Sequence, residues 1–374
     1  MMRLFFLLNV MLLLLGSCKG NRVLSSQGQS VTDSVYYATG YCVRHYDKYT
    51  QVDVRDPWDT TKLLQRYLLV DRNATSLPLG MPLGTVVKVP IQNIIVYTSV
   101  HISIIEQLGG IKCVSGVCEP RYMDSPVIQE RLQNGLVADI GEATAPNIEK
   151  IIDMGAEVII ASPFKDAGFG PAEKLGIPII QGADYMEPHP LGRAEWIRFY
   201  GMLLGQEQTA DSIFRATEKE YNTLKELVCA MVEKPSVLSE KRYGGQWFVP
   251  GGESFIGTLY HDAGANYIFK DLLGSGSVPL SFEAVLDKAI HADIWIVKYN
   301  SAQDLTYDEL RSEYTPYDNF DAFKNKKIYG CNTGRIHYYE EVPMHPHWLL
   351  KDYISIFHPE LLPGYTPRYF TPLQ

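Results

Sequence analysis

Residues 207–231 read EQTADSIFRATEKEYNTLKELVCAM, between Gly205 and Pro235 and with no Gly or Pro inside. Ala210, Ile213/Phe214, Tyr221, Leu224 and Leu227/Val228 recur at helical spacing, and Glu218, Lys219, Glu220 and Lys225 fill the positions between, which predicts one uninterrupted amphipathic helix. At about 1.5 Å per residue such a helix reaches roughly 37 Å, long enough to cross from one lobe of a protein to another. Short apolar runs alternate with helical patterns on both sides of it, so the stretch is expected to be a strut between two α/β lobes rather than a long surface helix of one domain.

Upstream of the strut, residues 86–89, 93–98 (NIIVYT), 114–117, 138–140, 158–161 and 177–180 are short strand-like runs. Between them, 102–108 (closed by Gly109 and Gly110), 127–133, 147–154 and 172–175 read as helices, and 191–204 forms another that Gly205 ends. Strands apolar on both faces and separated by helices imply a parallel sheet covered on both sides. Downstream, 236–238, 247–249, 254–262, 282–288, 294–297, 327–329 and a final helix at 347–357 repeat the pattern in a smaller unit. The expected fold is therefore two Rossmann-like lobes with parallel sheets, joined by one long rigid α-helix, with a ligand cleft where the carboxyl ends of their strands meet. Ahead of the first lobe, 36–53 is rich in Tyr, Val and Thr and reads as an added strand pair, while 59–70 (DTTKLLQRYLLV) is open between helix and strand.

A chain of 374 residues has room for two cores. Its 46% hydrophobic and 21% charged residues are those of a folded protein. A formal charge of −9 argues against nucleic acid as a partner, because the phosphates would repel it. The first residues carry Arg3, a 12-residue apolar core at Leu4 to Leu15, and then Gly16-Ser17-Cys18. That core is too short to span a bilayer about 30 Å thick, which marks a signal peptide. Leu15-Gly16-Ser17-Cys18 resembles the lipobox of lipoproteins, in which the Cys becomes the acylated N-terminus. The expected layout is a signal peptide at 1–17, lipidation at Cys18, a tether at 18–30, an N-terminal lobe with added strands at 31–190, bridging helices at 191–232 and a C-terminal lobe at 233–374. Of the other cysteines, Cys113 and Cys118 (CVSGVC) leave a local disulfide and a metal pair both open, Cys229 is expected as a buried thiol on the apolar face of the strut, and the spacing defines no metal site.

Several stretches resemble the substrate-binding proteins that serve ABC importers of ferric siderophores, haem and cobalamin, the class whose lobes are bridged by one long helix. They are Leu108-Gly109; Pro146-Asn147-Ile148-Glu149-Lys150-Ile151-Ile152 leading to Ala156-Glu157-Val158-Ile159-Ile160; Leu175-Gly176-Ile177-Pro178; and Leu204-Gly205-Gln206-Glu207 with Ala210. In the second lobe they are Ser281-Phe282-Glu283-Ala284-Val285-Leu286 leading to Ala292-Asp293-Ile294-Trp295-Ile296-Val297, then Leu350, Asp352 and His358-Pro359. The resemblance covers about residues 90–360. It departs where Ala156-Glu157 replaces the usual Pro-Asp, and the first 70 or so mature residues have no counterpart in it.

The resemblance implies an envelope-located, lipid-anchored monomer with no resident cofactor, which delivers a metal chelate or tetrapyrrole to an ABC permease. It also implies one acidic docking residue per lobe, here Glu149 and Glu283. Each falls in the first turn of an expected helix, where a carboxylate also complements the helix dipole. Candidate ligand residues lie just past strand ends: Ser99, His101, Arg121, Tyr122, Phe164, Lys165, Tyr185, Trp247, Phe248, Lys298 and Tyr299. Aromatics with a few cations suit a large, flat, partly anionic ligand. His101 and His189 also offer imidazoles for a haem iron, beside the plainer reading of each as a hydrogen-bonded structural histidine.

His345 and His347, close to Glu340 and Glu341, form the one dense imidazole and carboxylate cluster. That keeps a metal-dependent hydrolase as an alternative of another class, beside a loop that merely precedes a helix. A third reading is a surface lipoprotein that passes its ligand to another capture protein. No nucleophile elbow, phosphate loop or dinucleotide fingerprint is present, so no enzyme is expected.

Overall fold

The computed structural model describes residues 31–32 and 35–374; the signal peptide, Cys18 and the tether lie outside the described residues. The chain opens with an added five-stranded sheet of β1 (Val31–Thr32), β2 (Tyr41–Tyr46), β3 (Tyr49–Arg55), β4 (Leu63–Asp71) and β5 (Thr85–Val89), ordered as in the sequence. Its first four strands are antiparallel neighbours, and β5 runs parallel to β4. The ambiguous stretch 59–70 is thus a turn followed by a strand from Leu63: Tyr67, Leu68, Leu69 and Val70 are all buried, so both faces of the strand are covered there.

The N-terminal lobe follows with β6 (Ile94–Val96), α1 (Ser99–Gln107), β7 (Val114–Val117), α2 (Pro126–Gln133), β8 (Ala138–Asp139), the ribbon β9 (Gly141–Glu142) and β10 (Ala145–Pro146), α3 (Ile148–Asp153), β11 (Val158–Ala161) and β12 (Ile179–Gln181). The lobe sheet runs β12-β11-β6-β7-β8 and all its pairings are parallel. Two helices then cross between the lobes: α4 (Pro190–Leu204), ended by Gly205 in the left-handed region, and α5 (Glu207–Val228).

α5 is the expected strut, three residues shorter than its sequence pattern. Its 22 residues reach about 33 Å. Ala210 and Phe214 enter the N-terminal core, whereas Tyr221, Leu224 and Val228 enter the C-terminal one. One amphipathic face thus belongs to two cores, which couples the lobes through a rigid rod. Cys229 is a correction: it lies past the last helical residue, is exposed, and donates its thiol to the Lys225 carbonyl at 3.3 Å, because the buried face ends at Val228.

The C-terminal lobe contains β13 (Ser236–Ser239), β14 (Arg242–Tyr243), β15 (Gln246–Pro250), α6 (Phe255–Asp262), β16 (Asn266–Tyr267), β17 (Ser277–Leu280), α7 (Phe282–Ala289), β18 (Ile294–Tyr299), α8 (Tyr307–Glu313), α9 (Asp321–Lys324), β19 (Ile328–Asn332), α10 (Tyr338–Glu341), α11 (Pro346–Phe357) and β20 (Thr371–Pro372). Its main sheet runs β16-β13-β18-β19-β20, parallel except for the last strand. β14, β15 and β17 form a separate antiparallel sheet, so 247–249 is not part of the parallel core sheet. Among the described residues no helix is long and apolar enough to cross a membrane.

Two carboxylates on the α4 side join the added sheet to the lobe. Glu195, fully buried, accepts from the backbone amides of Tyr36, Tyr37 and Ala38, and Glu187 accepts from those of Thr39 and Gly40 and from Trp196 Nε1. Gly192 lets this segment lie against α4, since a Cβ there would stand 2.8 Å from the Tyr37 carbonyl oxygen. Arg198, 2.9 Å from Glu195, neutralises the buried charge.

Candidate functional site

The lobes meet where α1 packs on α10. Ser99 Oγ donates to Glu340 Oε1 at 2.6 Å, and Ser103 Oγ donates to the Glu340 carbonyl at 2.9 Å. Cavities lie on either side of this seam. One, about 240 Å³, takes Val100 and Arg193 from the N-terminal side and Glu240, Phe255, Lys298, Tyr338 and Tyr339 from the other lobe. Glu240 is the residue after β13 and Lys298 sits near the end of β18, so the cavity opens at the carboxyl ends of the C-terminal sheet, as the fold class requires.

Charge in this cavity is paired. Lys298 bonds Glu240 and stands 5.8 Å from the centroid of the Tyr338 ring. Burial works against the ammonium, but Glu240 together with the Tyr338 and Tyr260 rings outweighs it, so the lysine pKa is raised. Arg193 lies 5.4 Å from the Phe255 centroid and 3.5 Å from Asp184 Oδ2. Burial opposes the Asp184 charge as well, yet a bond from His101 and the charge of Arg193 hold that carboxyl below its ordinary range.

The smaller cavity, about 170 Å³, is lined by Ser99, Ser103, Met123, Asp124, His337 and Glu340 among others. Asp124 of one lobe and His337 and Glu340 of the other have donor atoms within 4.8 Å of one another, a grouping that would fit a metal ion. A much larger recess, about 870 Å³, lies between the added sheet and the α4–α5 pair. It involves one lobe only, so the interlobe cavity remains the better ligand site despite its smaller size.

The expected ligand residues are not brought together. Lys298 lines the interlobe cavity and Ser99 the smaller one. His101 is 1% exposed, its ring lying 2.9 Å from Thr98 Oγ1 and 3.5 Å from Asp184, and is a structural histidine. His189 accepts from the Leu191 amide at the start of α4. Trp247 is a correction: it is fully buried against Trp295, Phe282, Tyr317 and Phe320 and leaves no face for a ligand. Phe248, its neighbour on the other face of β15, is 37% exposed but outside the cavity. Tyr299 accepts from the Leu305 amide through its hydroxyl and braces a loop.

Arg121 grips Glu142 with two bonds of 2.8 and 3.0 Å and covers the ring of exposed Tyr122. Phe164 and Lys165 are exposed on the N-terminal lobe, and Phe164 leans on Tyr185, whose hydroxyl donates to the Pro163 carbonyl. None of these five lines the interlobe cavity.

The residues that do line it and were not anticipated are Arg193, Glu240, Phe255, Tyr338 and Tyr339. Position past a strand end could have found Glu240; the Tyr338-Tyr339 doublet follows β19 by a turn and carries no comparable signal.

The His345/His347 cluster is also corrected. The Glu341 carboxylate is occupied by Arg368, at 2.8 and 2.5 Å, and by the Tyr369 hydroxyl, while His345 stacks on Trp348 and His347 is buried. Burial pulls both imidazoles down to about 4. Among the described residues these three groups do not converge on one point, so together they form no metal site. Cys113 and Cys118 are free, and burial pushes the Cys118 thiol up to about 12.

Glu149 and Glu283 are exposed in the first turns of α3 and α7, one on each lobe, behind N-caps Asn147 and Ser281.

The model of the periplasmic binding protein family matches residues 115–333. An uncharacterized lipoprotein of Methanocaldococcus jannaschii is 28% identical over 298 residues, covering 76% of this chain and 69% of that protein. A second uncharacterized lipoprotein of the same organism is 24% identical over 80% of this chain and 77% of its own. Among solved structures, a possible iron-binding periplasmic solute-binding protein from Staphylococcus epidermidis superposes with a TM-score of 0.56 at 18% identity, over 71% of this chain and 98% of that one. A periplasmic haem-binding protein from Pseudomonas aeruginosa does so with 0.57 at 16%, over 76% and 98%. At these identities the structures speak for the two-lobed fold.

Proposed function

Because the chain belongs to the periplasmic binding protein family, we propose that it is a lipid-anchored substrate-binding protein, which captures a metal chelate between its lobes and delivers it to an ABC-type importer. The observation that carries this reading is the interlobe cavity, where three rings (Phe255, Tyr338, Tyr339) and two cations (Arg193, Lys298) converge beside Glu240. Rings and cations suit a flat, partly anionic ligand such as haem, a ferric siderophore or cobalamin. Iron- and haem-binding proteins among the structures of the same fold, and lipoproteins among the relatives, support it.

At about 240 Å³ the cavity is below the usual range for a drug-sized ligand, so such a chelate enters only when the lobes part at the α1–α10 seam. α5, rooted in both cores, restricts that parting to a small hinge movement. Residues 1–17 are removed in this account, Cys18 carries the lipid, 18–30 is the tether, and the protein works as a monomer in the cell envelope. Glu149 and Glu283 are the docking residues, since exposed carboxylates pair bidentately with permease arginines.

The experiment that separates capture from catalysis incubates the protein with excess haem or ferric chelate and recovers the ligand. Stoichiometric retention of unaltered ligand supports the proposal; accumulating product, or no retention, contradicts it.

A further inference from the structure

His337 and Glu340 stand three residues apart at the start of α10, which sets both side chains on one side of that single turn. Asp124, on the N-terminal lobe just ahead of α2, meets them across the seam, its Oδ2 3.4 Å from His337 Nδ1. Among the described residues this is the one trio of His, Cys, Asp or Glu side chains whose ligand atoms all lie within 4.8 Å of one another. The His337 side chain makes no capping bond to α10, so the helix end does not compete for the imidazole. Glu340 is held in place by the 2.6 Å bond from Ser99 Oγ, the outer support that metal-bound carboxylates have.

The charge around the trio also favours a cation. Glu106, Asp124, Glu340 and Glu341 line the adjoining cavity of about 170 Å³, and neither Lys nor Arg is among its described lining residues. Arg368 occupies Glu341. Closure of the lobes therefore draws Glu106 and Asp124 of one towards Glu340 of the other. Like charges brought together oppose closure, and a divalent cation set between them turns repulsion into attraction.

We propose that Asp124, His337 and Glu340 hold a first-row divalent transition-metal ion that latches the two lobes together. Two carboxylates with one imidazole match Zn²⁺ or Mn²⁺, whereas the nitrogen disfavours Mg²⁺ and Ca²⁺, which take oxygen ligands. Three protein ligands leave at least one coordination position to water, and the cavity has room for it. Because the ligands come from both lobes, the ion binds the closed form more tightly than the parted one and shifts the protein towards closure. The ion belongs to the seam and is distinct from any captured ligand, whose cavity lies on the other side of the α1–α10 contact. The inference rests on the seam alone, so it holds or fails independently of the capture reading.

The test titrates the untagged, chelator-treated protein with Zn²⁺ by calorimetry and follows the same samples by X-ray scattering. Wild type is expected to bind one Zn²⁺ that an equal concentration of Mg²⁺ does not displace. Binding is expected to be at least tenfold weaker in Asp124→Asn, on one lobe, and in His337→Gln, on the other. Both side chains are more than half exposed, so the substitutions leave the fold intact. His291→Gln, which removes the exposed His291–Asp321 pair elsewhere, is expected to bind as wild type does. Zn²⁺ should also reduce the radius of gyration of wild type and leave that of Asp124→Asn unchanged.

Absence of one-to-one Zn²⁺ binding overturns the proposal. So does binding that either seam variant leaves untouched, since an ion held by one lobe is no latch, and so does binding lost in His291→Gln. Binding at the trio with no change in the scattering of wild type overturns the latch as well.

Discussion

Ser99 Oγ on α1 donates a 2.6 Å hydrogen bond to Glu340 Oε1 on α10, so a residue of the N-terminal lobe is tied to one of the C-terminal lobe across the seam that a ligand must open. A bond to a charged acceptor contributes about 1.5–3 kcal/mol when sheltered and less at a partly exposed site. Because the ligand no longer has to break this bond to enter, Ser99→Ala is expected to strengthen ligand binding by up to about tenfold, about 1.4 kcal/mol, and to enlarge the ligand-free radius of gyration in X-ray scattering. Denaturation should barely move, because each lobe keeps its own core. An unchanged dissociation constant and an unchanged scattering curve would mean that the bond does not hold the lobes closed.

Glu195→Ala removes the acceptor of three backbone amides and leaves Arg198 without its buried partner. Arg198 keeps Asp211 at 2.5 Å as a partner, so the cost comes mainly from the amides left without an acceptor, about 1–3 kcal/mol for such a buried group. The expected results are a urea midpoint lowered accordingly and rapid hydrogen exchange at residues 36–38, with Glu195→Gln intermediate. Normal exchange protection there would show that the added sheet is held by other contacts.

His345 and His347 are held neutral in the fold at about 4, against about 6.5 in the unfolded chain. The unfolded state therefore takes up protons first as the pH falls. Their contribution to stability is whole above about pH 6.5 and is lost as the pH drops towards about 4. Urea midpoints measured across that window should fall for wild type and fall less steeply for His347→Gln; parallel curves for the two proteins would contradict the assignment.

Glu149→Arg together with Glu283→Arg should abolish uptake in cells while leaving the ligand dissociation constant within about twofold. Both side chains are exposed in helix first turns and lie outside the interlobe cavity, so the substitutions leave ligand contacts alone. Uptake that survives the double reversal would remove these residues from the permease contact.

The strut was legible because periodicity over 25 residues leaves few alternatives, and Phe214 and Tyr221 fell in different cores as two lobes demand. Individual site residues were not. A strand end places a side chain near the cleft without saying which face it takes, so Trp247 went to the core while Lys298 reached the cavity. Glu195 and Glu187 read as ordinary helix-region carboxylates, because their amide partners lie about 150 residues away in sequence. Arg193 sits on a bridging helix and Tyr338-Tyr339 on a one-turn helix beyond β19, where no motif marks a ligand contact.

The measurement that bears most directly on the account is an isothermal titration of the purified protein with haem, cobalamin and a panel of ferric chelates. The account predicts one-to-one binding of one of them at micromolar affinity or tighter, about −8 kcal/mol, weakened at least tenfold by Arg193→Ala or Tyr339→Ala. Absence of binding across the panel, or binding that both substitutions leave untouched, would contradict the interlobe cavity as the site of capture.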